Sequence, residues 1–100
     1  MPEYQTHQTS WQGIALSVSY CPDWSPFYRD VYGYPLAHLT IRADRPLPVM
    51  STGYRSHFTR PELIEEETGP VAFVLAWLDY EAQRPEWIVQ EAEAAQLSLF

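Results

Sequence analysis

The clearest signal along the chain is an alternation of apolar and polar positions over residues 14–20, with Ile14, Leu16, Val18 and Tyr20 on one face and Ala15, Ser17 and Ser19 on the other. A period of two marks a half-buried β-strand. The pattern returns over 36–43, where Ala37, Leu39 and Ile41 oppose His38, Thr40 and Arg42. Asp44-Arg45-Pro46 closes that run, and Leu47-Pro48-Val49-Met50 offers a third strand. Pro46 before it and Pro48 within it each lack a ladder donor, which assigns it to a sheet edge. Residues 1–10 are polar and read as a flexible lead-in.

Past residue 60 the period lengthens to that of a helix. Thr59-Arg60-Pro61-Glu62 has the form of a helix start, Thr59 capping and Glu62 closing a capping box, and Gly69-Pro70 interrupts that helix after Glu67. Val71, Val74, Leu75 and Leu78 recur at i, i+3, i+4 and i+7, so a second helix is predicted from Pro70 to about Gln83, widened by Phe73 and Trp77 and covering the sheet. Arg84-Pro85 stops it. A last helix follows from Pro85 to about Ala95, with Trp87, Ile88, Ala92 and Ala95 as its inner stripe and Glu86 in the first turn where the helix dipole favours an acid. The predicted fold is α+β: a small three-stranded antiparallel sheet followed by two or three helices packed on one face, in a single domain.

Two connecting stretches carry most of the aromatic residues. Residues 21–35 hold three prolines, a glycine and five aromatics, and are predicted to form a long loop. Trp24, Phe27 and Tyr32 either fold back as a lid on the core, as in compact surface loops, or present a contact surface that includes Trp24 and Tyr28. Arg29 is offset by Asp23 and Asp30, which argues against base stacking on single-stranded nucleic acid. The second stretch, residues 51–58, reads as a polar turn bracketed by Tyr54 and Phe58, with Gly53 giving the backbone freedom for a sharp reversal. Its Thr-Gly-Tyr-Arg-Ser-His-Phe run, Thr52 to Phe58, resembles small uncharacterised proteins encoded on bacterial mobile elements. The resemblance extends over about half the chain and implies no particular activity.

The charge is unevenly placed. Of the formal −7, residues 1–60 carry five Arg against four acids, and residues 61–100 one Arg against nine acids. Phosphate-driven binding to nucleic acid is therefore disfavoured for the second part, and a protein partner is the better expectation. No apolar run approaches the about 20 residues a bilayer needs, and the polar start lacks the pattern of a signal peptide. A lone Cys21 fits a reducing cytoplasm and excludes an intrachain disulfide.

Candidate chemistry is sparse. His7, His38, His57 and Cys21 show no metal-ligand spacing, Ser56 and His57 are neighbours that point apart, and there is no glycine-rich phosphate loop. No metal, cofactor or catalytic residue is assigned, and the protein is expected to be non-enzymatic. Arg55 and His57 are the local candidates for an anion site; alternatively Arg55 pairs with an acid of the helices while Tyr54 and Phe58 anchor the turn.

Gln96-Leu97-Ser98-Leu99-Phe100 ends the chain with an apolar cluster after a polar helix. The run resembles the short peptide by which many bacterial proteins dock on the DNA-polymerase sliding clamp. That resemblance implies that Gln96 hydrogen-bonds the clamp while Leu97, Leu99 and Phe100 fill its apolar cleft. The competing expectation packs the three apolar residues on the protein's own core. A clamp-docking tail would need a second contact, for which Glu65, Glu66, Glu67, Trp24 and Tyr28 are candidates. A different function class is an acidic inhibitor that imitates nucleic acid and blocks a restriction or CRISPR effector through the carboxylates of residues 62–93.

Overall fold

The computed structural model describes residues 3–50 and 52–97, with side chains to residue 93. Four antiparallel strands form one meander in chain order: β1 (Gln5–Trp11), β2 (Ile14–Cys21), β3 (Ala37–Ala43) and β4 (Tyr54–Thr59). Helix α1 (Pro26–Tyr32) lies in the β2–β3 connection, and α2 (Pro61–Glu66), α3 (Pro70–Glu81) and α4 (Pro85–Leu97) follow the sheet. The fold is α+β as predicted, with one more strand. Among the described residues no helix is long and apolar enough to cross a membrane.

The register explains why the two central strands were plain in the sequence and the outer two were not. One row across the helix-facing side runs His7–Val18–Ile41–Arg55, and another runs Gln5–Tyr20–Leu39–His57. The middle positions of each row are apolar and buried, whereas the outer ones are polar. Residues 5–10, expected as part of a flexible lead-in, thus belong with Trp11 to an edge strand, β1, whose only deeply buried side chain is Trp11. A two-residue turn joins it to β2, with Gln12 and Gly13 both at positive φ (50° and 78°), the twist that suits a tight hairpin.

The expected third strand at 47–50 is instead a tight turn. Leu47 and Met50 exchange backbone hydrogen bonds with each other, at 3.2 and 2.9 Å, and both side chains are buried. The stretch seals the end of the core while the real strand, β4, occupies the expected polar turn. Gly53 sets that strand's start: its φ is +80°, its carbonyl accepts from Ala43 N–H at 2.9 Å, and its N–H donates to Met50 O at 3.0 Å.

Helix α3 lies over β1 and β2, burying Val74 and Leu78 against Leu16, Val18, Leu39 and Ile41, while α2 adds Ile64. Burial of such side chains contributes about 1.5–3 kcal/mol each, which makes this two-layer core the main source of stability. The Trp11 indole N–H donates to the Asp79 carboxylate at 2.8 Å and fixes α3 on the sheet edge. Thr59 ends β4 and does not cap α2; the cap position is Arg60, whose side chain makes no capping bond, with Pro61 in the first turn.

Helix α4 departs from expectation most. Of its predicted inner stripe Trp87 alone among the described side chains meets the body, with its ring centroid 5.9 Å from that of Trp11, and the Ala95 side chain lies outside the described residues. Ile88 and Val89 are 55% and 56% exposed, and Ala92 is exposed too. A compact 100-residue domain has a radius of gyration of about 13 Å, against 15.5 Å here, and the long axis is 55 Å against 23 and 21 Å. Helix α4, about 20 Å long and solvated from Ile88 through Glu93, accounts for the elongation.

Candidate functional site

Alternation along β4 sends Arg55, His57 and Thr59 to the helix side and Tyr54, Ser56 and Phe58 to the open side of the sheet. Each set meets different neighbours, so the 51–58 stretch contributes to two surfaces.

On the open side, β1, β2 and β3 add a field of hydroxyls, with Thr6 and Ser19 hydrogen-bonded at 3.0 Å, and Arg42 lies over the Tyr54 ring at 4.9 Å. At one end His38 is held by three groups. Its Nδ1 bonds the Tyr4 hydroxyl, its Nε2 bonds Ser56 Oγ at 2.7 Å, and its ring stacks on Phe58 at 4.4 Å. Trp24 closes the cluster edge-on to Phe58 at 4.9 Å. Burial pushes the His38 pKa below its ordinary value, so the ring is neutral at pH 7. The connectivity resembles a nucleophile, base and orienting hydroxyl, yet Ser56 lines none of the grooves described here, and the cluster's evident work is to pin Trp24 across β3 and β4.

The aromatic stretch 21–35 therefore does not cap the core. Ser25 caps α1 by accepting from Tyr28 N–H at 3.2 Å, Pro26 fills its first turn, and Gly33 ends it in the left-handed conformation. Tyr28 forms a separate cluster with Tyr32 and Tyr34, its hydroxyl 3.2 Å from that of Tyr34, and Arg60 stacks on Tyr34 at 4.3 Å. Arg29 pairs with Asp23. Phe27 is 77% exposed, and Val31 one turn on is exposed as well.

On the helix side, Trp77 separates the two residues proposed for an anion site. The Arg55 guanidinium lies 5.6 Å from the Trp77 ring and lines one cavity with Pro48 and Arg84. His57, 4.8 Å from the same ring, opens into another with Glu66 and Glu67. They do not converge on one ligand, and Arg84 is already paired with Glu81 at 2.5 Å. Nor does Arg55 pair with an acid among the described residues; it stacks on Trp77 instead. Burial first, and the Arg55 charge second, hold the His57 pKa below its ordinary value.

The suggested second contacts are likewise dispersed. Glu66 and Glu67 edge the α2–α3 groove, Glu65 bears on Tyr20, and Trp24 and Tyr28 belong to the two aromatic clusters. The Tyr20 pKa is raised by burial first and by the charge of Glu65 next. In the tail, Gln96 and Leu97 lie in the backbone of α4, whereas Leu99 and Phe100 fall outside the described residues. Sequence reasoning missed the His38 cluster, since Ser56 and Phe58 reach His38 only through the register of β4, a strand that was not predicted, and Tyr4 and Trp24 join it from outside the strands.

The fold and its surfaces define a small α+β domain: a four-stranded antiparallel meander, helices on one face, and an open face edged with aromatics. Residues 4–87 match the family of KlcB third domains, and the chain belongs to that family. No curated protein and no solved structure matches the chain. The family match ends at Trp87, the residue that ties α4 to the body; the rest of α4 and the terminal peptide lie beyond it.

Proposed function

We propose that this chain is a non-enzymatic protein-binding domain, an accessory or host-modulating protein of a bacterial mobile element. It docks on the DNA-polymerase sliding clamp through Gln96, Leu97, Leu99 and Phe100. The observation that carries the reading is the course of α4, which meets the body through Trp87 and is solvated from Ile88 through Glu93. A peptide at the end of such a helix is within reach of a partner. Docking in an extended form requires the last turn, with Gln96 and Leu97, to open, and terminal turns are the cheapest part of a helix to open.

Three apolar side chains at about 1.5–3 kcal/mol each give a gross 5–9 kcal/mol, from which ordering and association costs are subtracted, so the tail alone supports micromolar affinity at best. Titration of purified clamp with the full chain and with a chain ending at Ala95 tests the reading. Binding that is lost on truncation supports it; equal binding, or none at tens of micromolar, sinks it.

A second reading has an observation of its own. Glu62, Glu65, Glu66 and Glu67 are all exposed on or beside the six-residue α2, and Glu86, Glu91 and Glu93 are exposed on α4. An acidic surface of this kind suits an inhibitor that imitates nucleic acid and occupies a restriction or CRISPR effector. Binding to such an effector would be strongly salt-dependent, survive removal of the tail, and fail on charge reversal of Glu65, Glu66 and Glu67.

A further inference from the structure

The cavity into which His57 opens is a groove of about 480 Å³ between α2, α3 and β4, and its aromatic lining serves neither function proposed above. Its aromatic lining is His57, Phe73, Trp77 and Tyr80, with Glu66 and Glu67 at the edge. We propose that this groove receives an arginine side chain from a basic segment of a partner protein.

Three features argue for that occupant. First, the aromatic floor is fixed by its own packing: His57 lies 4.8 Å from Trp77, and Phe73 lies 6.1 Å from Trp77 and 6.2 Å from His57. Tyr80, 68% exposed, is the wall with freedom to close on a ligand. Second, the Trp77 ring already takes one guanidinium, that of Arg55, which lies over it at 5.6 Å from the neighbouring cavity. Third, the Glu66 and Glu67 carboxylates are exposed and take part in no ion pair among the described residues, so their charge is unmet.

The chemistry discriminates among ligands. A purely apolar peptide would strip water from two carboxylates with nothing in return, and a phosphate backbone would be repelled by them. A guanidinium is flat enough to stack on the indole while its edge donates to carboxylate oxygens, a geometry that the compact ammonium of lysine cannot match. His57, neutral at pH 7, adds a ring face and no opposing charge.

The inference rests on the protein-binding reading of the chain but not on the clamp as partner. The probe is the peptide acetyl-Gly-Arg-Arg-Gly-amide, titrated into the ¹⁵N-labelled full chain while the Trp77 indole N–H resonance is followed. Saturable shifts are expected at Trp77 and Tyr80. Changing Glu66→Gln together with Glu67→Gln, both exposed positions, should weaken binding about tenfold, as should replacing arginine by uncharged citrulline in the peptide. Glu91→Gln with Glu93→Gln on α4 should leave it unchanged. Equal loss in the two double variants, equal binding of the citrulline peptide, or shifts confined to α4 would overturn the proposal. A chain ending at Ala95 should keep peptide binding, and Tyr80→Ala, an exposed groove position outside the candidate clamp contacts, should weaken peptide binding while keeping any tail-dependent binding to the clamp, so the groove and the tail fail separately.

Discussion

Replacing Gly53 by alanine should destabilise the domain more than the same change at Gly13, although both glycines sit at nearly the same positive φ, +80° and +78°. The left-handed conformation costs an alanine about 1–2 kcal/mol, of which stiffening the unfolded chain returns about 0.4–1 kcal/mol. At Gly13 that is all, because a new Cβ meets nothing within 4 Å, and a net loss of about 1 kcal/mol follows. At Gly53 the Cβ would stand 2.8 Å from the backbone oxygen of Ala43. Relief requires the β3–β4 ladder to shift where Ala43 N–H donates to Gly53 O, adding the about 1–2 kcal/mol of a weakened backbone bond and strained neighbours. The Gly53→Ala loss should then be about 2–3 kcal/mol. Urea denaturation followed by tryptophan fluorescence measures both; with a slope of about 2 kcal/mol per molar, the two midpoints should separate by roughly 0.5–1 M. Coincident midpoints would refute the close approach at Gly53, and with it the anchoring of the strand that places His57 beside Trp77.

Three further outcomes follow from the packing and the titratable groups. Leu78→Ala empties a fully buried site facing the sheet and should cost about 2–5 kcal/mol by thermal or urea unfolding. Trp11→Phe keeps the apolar bulk but removes the bond to Asp79, for a loss of about 1–2 kcal/mol, and Asp79→Asn, which keeps an acceptor, should lose less. Because His57 and His38 have folded pKa values below the ordinary 6.5, the unfolded chain takes up these protons first as pH falls. Their contribution to stability is full above about pH 6.5 and declines below it, and His57→Gln should flatten the dependence between pH 7 and 5.

The parts of the fold legible in the sequence are those where one element buries a whole periodic face. Strands β2 and β3 carry Leu16, Val18, Leu39 and Ile41 under the helices, so their alternation is apolar against polar, and α3 shows its i, i+3, i+4, i+7 stripe for the same reason. Edge strands lack that signature. β1 turns Gln5, His7 and Thr9 to the helix side, and β4 turns Arg55 and His57, so both read as polar connections. The Ser25-Pro26 start and Gly33 stop of α1 were present in the sequence but masked by the density of prolines, and the helix buries none of its residues.

The candidate sites divide in the same way. The tail peptide is contiguous and was visible as a motif, while the α2–α3 groove joins His57 to Glu66 and Trp77 across three elements and emerges only with the register of β4. Arg55 and His57, the expected anion pair, fall on one face of β4 two residues apart, but the large Trp77 ring from α3 comes between the cavities they line.

The proposed docking on the clamp requires the terminal peptide to be offered to a partner and not folded into the domain. A chain carrying 4-fluorophenylalanine at position 100 tests it through one ¹⁹F resonance. A docking tail gives a signal that is fully accessible to a soluble paramagnetic agent in the free protein, is insensitive to the cooperative urea transition, and shifts or broadens when sliding clamp is added. A signal shielded from the agent that moves with global unfolding would show Phe100 closing the domain's own core, and would contradict it.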